Sequence, residues 1–337
     1  MIELRERPFF IVGQPRSGTT LLRAIVNAHP RLFVPPETGF LPFLQVDGRL
    51  PPGDKHLTPE ETTSLLEQIG RLNREWHGVV GDAPAFYNEL SAGGERPSVT
   101  QLLDALYRRM MGDRGERWGD KTPGYVRYIP HVDRLFPRAL VVHVVRDGRD
   151  TVLSAREKWQ ERRHQDTYYL LQRWVDSVTA GRRDGRRLGA ERYREIHYED
   201  LVKRPAVSVR QLCDFLGETF HPAMLDHSQQ FREKDAGSAH PEVHNPIFSA
   251  SAGRWHQEMT PFDRKLAHHL AGPTLRTFGY ETPDPGPWAA GERLRRFLLA
   301  LRYRLLANLR RLLYAAGILT LNRGKRNRPS RTVRKTT

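Results

Sequence analysis

The chain has 337 residues, of which 38% are apolar, so it is long enough to bury a large core in one α/β domain that carries an appendage. Its single cysteine, Cys213, excludes a disulfide framework and a multi-cysteine metal site, and this composition is typical of a reducing compartment. The net charge of +15 is unevenly placed, because residues 291–337 hold 14 arginines and lysines against one glutamate and so carry +13 of it. Basicity is therefore a property of the tail.

The N-terminal residues favour a cytoplasmic location. Only eight residues precede the first apolar run, and four of them are charged. Neither a signal peptide nor a membrane anchor has this pattern, and no uncharged apolar run reaches membrane-spanning length. We therefore expect a cytoplasmic protein.

The first predicted element is a strand, a turn and the start of a helix in residues 9–22, FFIVGQPRSGTTLL. The free backbone amides and the dipole of a helix N-terminus make a socket for a tetrahedral anion, and Gly13 and Gly18 let the backbone come close to it. The spacing of the two glycines matches a nucleotide P-loop, but Thr19 stands where an ATP- or GTP-binding loop has its lysine. The pattern therefore indicates an anion-binding loop and weighs against an ATPase or GTPase.

Residues 15–22, PRSGTTLL, resemble the 5'-phosphosulfate loop of sulfotransferases that use 3'-phosphoadenosine 5'-phosphosulfate (PAPS), in which Arg or Lys occupies the position of Arg16. The resemblance implies that the co-substrate PAPS binds through Arg16, Ser17, Gly18, Thr19 and Thr20. It also implies a three-layer α/β/α P-loop-type fold around a central parallel sheet, with no metal, since cationic side chains replace the Mg²⁺ that kinases use. An ordinary α/β connection with a Gly-rich turn is the alternative.

Glu37 lies in the next predicted loop, residues 34–40, where Pro35 and Pro36 restrict the backbone. Sulfuryl transfer to a hydroxyl needs a general base within hydrogen-bond reach of the acceptor oxygen. Residues 16–43 are similar to the matching stretch of tyrosylprotein sulfotransferases, where a Glu-Thr pair supplies the base, so the resemblance implies that Glu37 is the base. A solvated loop glutamate is the alternative.

Two helices are predicted next, with Thr58 and Ser98 as their N-caps. The first continues to about Leu72 and the second to about Met111. The loop-rich insert around the first helix, residues 50–94, has no catalytic pattern of its own, and we expect it to shape the acceptor cleft.

Lys121 follows in residues 118–125, WGDKTPGY. This stretch is similar to a Lys-[Thr/Ser/Asp]-Pro element of Golgi carbohydrate and tyrosylprotein sulfotransferases, which lies beside the sulfuryl group. The resemblance implies that Lys121 neutralises the bridging oxygen as it departs. A solvated lysine in a turn is the alternative.

A buried parallel strand is predicted for residues 140–145, LVVHVV, in which His143 is a core residue rather than a catalyst. The motif RDGRD follows at the carboxyl end of this strand, where open α/β sheets bind ligands. Arg146 and Ser154 match the family's 3'-phosphate-binding pair, so the resemblance implies that they bind the 3'-phosphate of PAPS. A surface Arg-Asp cluster is the alternative.

Two further helices are predicted, from Thr167 to about Arg182 and from Pro205 to Leu216, the second closed by Gly217. Between them, residues 192–201 resemble the Tyr-Glu-x-Leu element that follows a core strand in this superfamily. The resemblance implies that Tyr198 contacts the nucleotide, and a half-buried strand-end tyrosine is the alternative.

Residues 251–255, SAGRW, are similar to the late loop that closes over the nucleotide, which implies that Arg254 contacts a phosphate. This version lacks the fuller Arg-Lys-Gly-rich pattern of the family. A last helix is predicted from the Thr260 cap to Gly272, and the sulfotransferase domain is expected to occupy residues 1–282.

Residues 283–337 are predicted to form a linker and a basic amphipathic tail. Leucines and a phenylalanine recur at helical spacing opposite arginines from Leu294 to Leu313. Such a helix fits the headgroup region of anionic lipid, so we predict that residues 291–337 place the protein on the inner face of the membrane. Docking on the protein's own body, a partner helix and adventitious nucleic-acid binding are the alternatives, and specific nucleic-acid recognition is not expected.

Together these motifs predict a PAPS-dependent sulfotransferase that uses in-line transfer to an acceptor hydroxyl, with Glu37 as base and with Arg16 and Lys121 stabilising charge on the transferring group. The acceptor stays open among sugars, lipids, tyrosine and small metabolites. A P-loop kinase is the second candidate, against which the missing lysine argues. A non-enzymatic membrane or nucleic-acid-binding protein with a vestigial nucleotide site is the third.

Overall fold

The structure, a computed structural model, describes residues 7–73, 76–159, 166–226 and 251–315. Within these ranges five strands form one parallel sheet in the order β2-β3-β1-β4-β5. The strands are β1 (Phe9–Gly13), β2 (Leu32–Phe33), β3 (Arg117–Lys121), β4 (Leu140–Val145) and β5 (Tyr193–His197). Because all pairs are parallel, the carboxyl ends of the strands meet at one edge, which we call the carboxyl edge.

Helices follow each strand and fill the insert after β2. Those of the described ranges are α1 (Thr19–Asn27), α2 (Pro59–Leu72), α3 (His77–Val80), α4 (Ala83–Leu90), α5 (Val99–Met111), α6 (Ile129–Leu135), α7 (Gly148–Lys158), α8 (Thr167–Arg186), α9 (Tyr198–Lys203), α10 (Pro205–Leu216), α11 (Trp255–Glu258), α12 (Pro261–Thr277) and α13 (Ala290–Ala315). Single 3₁₀ turns occur at Leu41–Phe43, Gly112–Arg114, Pro123–Arg127 and Pro222–Asp226.

The sheet lies between two layers of helices. Successive side chains along a strand point to opposite faces of the sheet, and each face packs against helices in its own apolar core. Phe10, Val12 and Val141 belong to the core shared with α2, α5 and α6. Phe9 and Val142 point the other way and join the core formed by α1 and α10. A third apolar cluster joins α7, α8 and α12. The predicted three-layer α/β/α fold is confirmed.

Helix starts were predicted well because their caps are local. Thr58 and Ser98 each accept a hydrogen bond from the backbone N–H three residues on, and the side chain at that position bonds back to the cap N–H. The predicted end of the last body helix was wrong, since α12 continues past Gly272 and Pro273 to Thr277. The extra turn buries Leu275, and this burial offsets the proline penalty.

The sequence did not predict β2 or β3. Strand β3 contains Arg117, Asp120 and Lys121, and all three side chains are buried. Charged residues are unusual in a buried strand, so the apolar pattern that identified β4 was missing here. His143 in β4 is fully buried, as expected of a core residue, and burial lowers its pKa to about 4.

The predicted tail helix is present as α13, and residues 316–337 of the tail lie outside the described ranges. Lys265 of α12 donates hydrogen bonds to the Pro287 carbonyl and to Glu292, which ties the linker and the start of α13 to the body. Among the helices that the structure describes, none combines the length and the apolar character needed to cross a membrane.

Candidate active site

The loop after β1 presents an uncapped helix N-terminus at the carboxyl edge. Gly18 precedes α1 with φ +92°, and no side chain of the described residues caps this helix. The first-turn N–H groups of Thr19 and Thr20 therefore have no partner within the helix, and such groups at a helix start can bind an anion. Arg16 holds φ +77°, a left-handed conformation that is rare outside glycine and marks backbone strain at functional sites.

Ser17 lies at the bottom of this loop. Its side chain is fully buried, its N–H donates to the Gln14 carbonyl at 3.1 Å, and its hydroxyl has no partner among the described residues. A buried hydroxyl without a partner is costly, so its place beside the uncapped helix start favours a polar ligand here. The role predicted for Gly13 changes, because a Cβ there would lie 2.6 Å from the Val144 carbonyl oxygen: this glycine lets β1 pack against β4.

The two predicted nucleotide-binding motifs meet at the carboxyl edge. Arg146, at the end of β4, donates a hydrogen bond to the Arg16 carbonyl oxygen at 3.0 Å and to the Ser251 carbonyl oxygen at 2.5 Å. Arg16 Nε in turn donates to Ser154 Oγ at 3.1 Å. Arg146 is buried, and its Nε has no partner among the residues that the structure covers. A buried guanidinium held mainly by carbonyls is a strong anion ligand.

Tyr198 lies under both motifs rather than at the surface. The Arg146 guanidinium stands 4.5 Å from the centre of the Tyr198 ring, a cation–π contact. A Cβ on Gly18 would come within 2.4 Å of the same ring, so only glycine fits between the helix start and this tyrosine. Tyr198 therefore fixes the position of the loop and of Arg146, and its predicted contact with the nucleotide stays a prediction.

The rest of the RDGRD motif holds the late loop. Asp150 accepts hydrogen bonds from the backbone N–H groups of Gly253 and Trp255, at 2.6 and 2.8 Å. The guanidinium of Arg149 lies 3.4 Å from the centre of the Trp255 ring. This attachment brings Ser251 to Arg146, so the motif after β4 and the late loop act as one unit. Residues 227–250, which contain most of the predicted loop before Ser251, lie outside the described ranges.

Glu37 and Lys121 form the second part of the site. Lys121 Nζ, at the end of β3, donates to Glu37 Oε1 at 2.8 Å. The lysine side chain is 4% exposed and the glutamate side chain 52% exposed, so the pair joins the protein interior to the surface. Burial lowers the pKa of Lys121, and the charge and hydrogen bond of Glu37 oppose this shift. Neither side chain is the isolated surface charge that the sequence alone allowed.

A buried polar network fixes the loop that carries Glu37. The Thr38 hydroxyl donates to Asp120 Oδ2 at 2.6 Å, and the hydroxyls of Tyr107 and Tyr125 lie 2.7 Å from Asp120 Oδ2 and Thr38 Oγ1, respectively. Burial raises the pKa of Asp120 against the effect of these hydrogen bonds. Sequence reasoning missed this network. The available signal was an aspartate next to Lys121 in an otherwise apolar, aromatic context.

Arg23 of α1 was also missed. It is buried, and its Nε donates to the Val34 carbonyl oxygen at 2.9 Å, which ties α1 to the loop before Glu37. Its charge lowers the pKa of Lys121, so the two cations share one region. The signal in the sequence was an arginine inside the apolar stripe of a helix, between Leu22 and Ala24.

A family model described as "Sulfotransferase family" matches residues 8–222, which is more than half of the chain and includes the loop, Glu37, Lys121 and Arg146. The chain belongs to the sulfotransferase family. The prediction of a PAPS-dependent sulfotransferase, made from the motifs, is thereby confirmed.

Similarity to individual sulfotransferases extends over most of the chain. It is 25% identical over 295 residues to protein-tyrosine sulfotransferase A of Caenorhabditis elegans, covering 84% of this chain and 70% of that protein. It is 28% identical over 298 residues to protein-tyrosine sulfotransferase of Drosophila melanogaster, covering 84% of this chain and 54% of that one. The chain thus spans between about half and about two thirds of these relatives.

Solved structures give the same answer. The sulfotransferase domain from the Synechococcus PCC 7002 olefin synthase has a TM-score of 0.57 and 26% identity, covering 82% of this chain and 97% of that domain. The sulfotransferase domain from the curacin biosynthetic pathway has a TM-score of 0.57 and 25% identity, covering 82% and 99%. These domains share the fold of this sulfotransferase over nearly their whole length.

Arg254 is the predicted site residue whose placement differs most from expectation. Its guanidinium contacts the carboxylates of Glu157 and Glu258, and these hydrogen bonds raise its pKa further above the ordinary value. In this sulfotransferase Arg254 is therefore neutralised on the outside of α7, and its role as a phosphate ligand stays a prediction. No group of three or more metal-ligating side chains occurs in the part of the chain that the structure describes.

Proposed function

We propose that this sulfotransferase binds the phosphosulfate of PAPS at the uncapped start of α1 and the 3'-phosphate at Arg146 and Ser154, and transfers the sulfuryl group to an acceptor hydroxyl. The observation that carries the proposal is the direct contact of the two motifs: Arg146 to the Arg16 carbonyl, and Arg16 to Ser154. The paired residues are 130 and 138 positions apart in sequence, so the fold has brought two cationic motifs to one place.

The donor fits the groups that line this region. Among the described residues the start of α1 has no side-chain cap, and the Ser17 hydroxyl and Arg146 Nε have no hydrogen-bond partner; all three groups favour an anion. Burial of Arg146 and Lys121 costs free energy that an anionic ligand offsets. A vestigial site would have little reason to keep such costly groups buried.

Glu37 acts as the general base in the proposed reaction. It accepts the proton of the acceptor hydroxyl while the acceptor oxygen forms its bond to sulfur, and the bond between sulfur and the bridging oxygen breaks. The electron pair of that bond leaves with 3'-phosphoadenosine 5'-phosphate. An ammonium has three donors, so Lys121 can bind Glu37 and a sulfuryl oxygen together. Arg16 and Lys121 stabilise the charge that develops during transfer.

For the acceptor we propose the phenolic hydroxyl of a tyrosine residue. Support comes from the relatives named protein-tyrosine sulfotransferase in two invertebrates. The half-exposed position of Glu37 is compatible with an acceptor as large as a peptide. Transfer from radiolabelled PAPS to tyrosine peptides, with sugars, small metabolites and membrane lipid extracts as parallel acceptors, tests this. If radiolabel appears in sugars, small metabolites or lipids and not in the tyrosine peptides, the tyrosine assignment is refuted. The proposed donor site is not affected by that result.

A thermal-shift experiment tests the donor against a kinase-like function. At 100 times its dissociation constant, 3',5'-ADP should stabilise the protein by about 2.7 kcal/mol, and Mg-ATP should give no shift. For a chain of 337 residues that is a rise in melting temperature of about 4 °C. A shift with Mg-ATP alone would favour the kinase, and no shift with either nucleotide would favour a vestigial site.

A further inference from the structure

The C-terminal helix α13 docks on the sulfotransferase body through its polar and aromatic side. The guanidinium of Arg295 lies 4.1 Å from the centre of the Phe262 ring, and that of Arg296 lies 5.0 Å from the Trp288 ring. Arg302 pairs with Asp166 at the start of α8. These contacts hold one side of the helix against α8 and α12.

Tyr303 and Leu299 extend the docking side. The ring of Tyr303 contacts Tyr168 and Tyr169 of α8, at centroid distances of 5.7 and 6.0 Å, and Leu299 packs on the apolar cluster beneath. The contacts on this side recur every three or four residues along α13, as they must on one helix face. The rotation of the helix about its axis is thereby fixed.

The opposite side of α13 is apolar and faces away from the body. Its seven large apolar side chains are between 43% and 67% exposed. They are Leu294, Phe297, Leu298, Leu301, Leu305, Leu309 and Leu312. We call these residues the outward stripe. From Leu294 to Leu312 it is about 27 Å long at 1.5 Å per residue, and soluble proteins rarely expose so much contiguous apolar surface.

Positive charge accompanies the outward stripe. Arg293 and Arg304 are exposed, and their spacing from the stripe residues places them along one of its edges. The one acid of the tail, Glu292, is turned to the body, where it pairs with Lys265. Beyond the described helix, residues 316–337 add seven arginines and lysines and no acid. A partner that matches the outward stripe therefore combines an apolar surface with negative charge beside it.

A second copy of this chain does not meet that requirement. Two outward stripes packed together would bring Arg293 and Arg304 of both copies into one interface, and like charges across an interface cost free energy. The surface of a bilayer that contains anionic lipid combines acyl chains with negative headgroups and meets it well.

We propose that the outward stripe binds the surface of a bilayer containing anionic lipid. The helix lies in the plane of the headgroups with the stripe toward the acyl chains, and Arg293 and Arg304 extend to the lipid phosphates. The opposite face stays on α8 and α12, so the sulfotransferase body is held at the membrane in one orientation. The proposal does not depend on the donor or acceptor assignments.

Co-sedimentation of the full chain with vesicles tests the proposal. We expect binding to phosphatidylcholine vesicles that contain about one third phosphatidylglycerol, and binding that is weaker by about tenfold or more on pure phosphatidylcholine. The double variant Leu298→Glu/Leu305→Glu should lose binding to the anionic vesicles by at least about tenfold, because it places two carboxylates in the apolar stripe. Val207→Glu is the matched control, since Val207 is 50% exposed on the body, and it should bind like the wild type.

A second variant separates charge from apolar contact. Arg293→Gln/Arg304→Gln should weaken binding by about fivefold for each arginine removed, with a smaller difference at high salt. All variants should keep a cooperative thermal unfolding transition within about 2 °C of the wild type, which shows that they are folded. Equal binding of the wild type and the Leu298/Leu305 variant would overturn the proposal. So would a dimer that forms without lipid and is lost in that variant.

Discussion

The donor side and the acceptor side of the site are built differently. On the donor side, Arg146 is buried and held by two backbone carbonyls, and Tyr198 supports it from below. On the acceptor side, Glu37 is half exposed and its carboxylate makes one ion pair, to Lys121. The proposed donor ligands Arg16 and Arg146 belong to loops that follow buried strands directly, whereas the proposed base is placed by its neighbour Thr38 in a buried network.

Because of this difference, nucleotide binding and the chemical step should respond to different substitutions. Donor binding depends on the backbone around β1 and β4, which the core fixes, so it should survive most changes near Glu37. In the proposed reaction catalysis depends on the loop of Glu37, which is fixed to β3 by the hydrogen bonds of Thr38 to Asp120 and of Lys121 to Glu37. Changes on the donor side should therefore alter nucleotide affinity, and changes on the acceptor side should alter kcat.

The largest effect is expected for Glu37→Gln, which removes the base and keeps the size of the side chain. General-base catalysis contributes about 10²–10⁴ to rate, and kcat should fall by that factor. The dissociation constant for 3',5'-ADP should stay within about twofold of the wild-type value, because the donor ligands are unchanged. Steady-state kinetics with labelled PAPS and nucleotide titration measure the two quantities.

Glu89→Gln is a suitable control for this variant. Glu89 lies on α4 of the insert and pairs with Arg109 at the surface, so its loss should leave kcat unchanged. A Glu37→Gln enzyme with wild-type kcat would show that Glu37 is not the base.

The second-largest effect is expected for Arg146→Ala, which should reduce the affinity for the nucleotide. Removing a buried, multiply hydrogen-bonded guanidinium should weaken 3',5'-ADP binding by about 10²–10³. The affinity of Arg146→Lys should lie between those of the wild type and Arg146→Ala, because lysine keeps the charge and lacks the planar pair of donors. Isothermal titration with 3',5'-ADP measures the affinity.

Arg192→Ala provides the matched control, since Arg192 precedes β5 at the edge opposite the site and pairs with Asp133. It should bind the nucleotide like the wild type. If Arg146→Ala also binds normally, the assignment of the 3'-phosphate site to this motif is wrong.

A smaller effect should appear in the pH dependence of the two sides. Burial lowers the pKa of Lys121, so this lysine loses its proton, and with it the charge proposed to stabilise transfer, at a lower pH than an exposed lysine does. We expect kcat to fall as pH rises toward 10.5, by about tenfold per unit above the pKa of Lys121. The affinity for 3',5'-ADP should not follow, because arginines do not titrate in this range.

Lys121→Arg tests the origin of that alkaline decline. The guanidinium keeps its charge, so the decline in kcat should move to higher pH or disappear, even if the activity at neutral pH is reduced. A decline at the same pH in both enzymes would assign it to another group.

The two sides also differ in how far the sequence predicted them. The two proposed donor motifs are contiguous and follow glycine or an apolar strand, so a local pattern was enough to propose Arg16, Arg146 and Ser154, which the structure brings together. The caps at Thr58 and Ser98 are local in the same way and set two helix starts. By contrast, β3 was hidden by its buried charges, because a charged strand is stable only when distant residues supply partners.

The Thr38 network could not be predicted for the same reason. Its partners Tyr107 and Tyr125 lie 69 and 87 residues away along the chain, and nothing local distinguishes Thr38 from a threonine in solvent. The surroundings of Arg254 likewise depend on Glu157, in a helix almost 100 residues earlier. The contacts of Thr38 and Arg254 are made with residues that are far away in sequence. The sequence alone does not show which distant residues come close in the fold.

The smallest effect in the series is expected for Thr38→Val, and it tests whether the network positions Glu37. The variant keeps the shape of the side chain and removes the hydroxyl that donates to Asp120. The lost hydrogen bond should destabilise the fold by about 1–3 kcal/mol, because it leaves a buried carboxylate with one partner fewer. If the network positions the base, kcat should also fall, by about tenfold, with unchanged affinity for 3',5'-ADP.

Thr62→Val is the matched control for this last comparison. Thr62 is as buried as Thr38, but its hydroxyl has no hydrogen-bond partner among the described residues, so the same change removes no bond. Its kcat should equal that of the wild type, and its stability should be equal or higher. A Thr38→Val enzyme that is destabilised but turns over at the wild-type rate would assign the network to folding alone. Reduced kcat in Thr38→Val and not in Thr62→Val would show that the acceptor side depends on buried partners that never touch the acceptor.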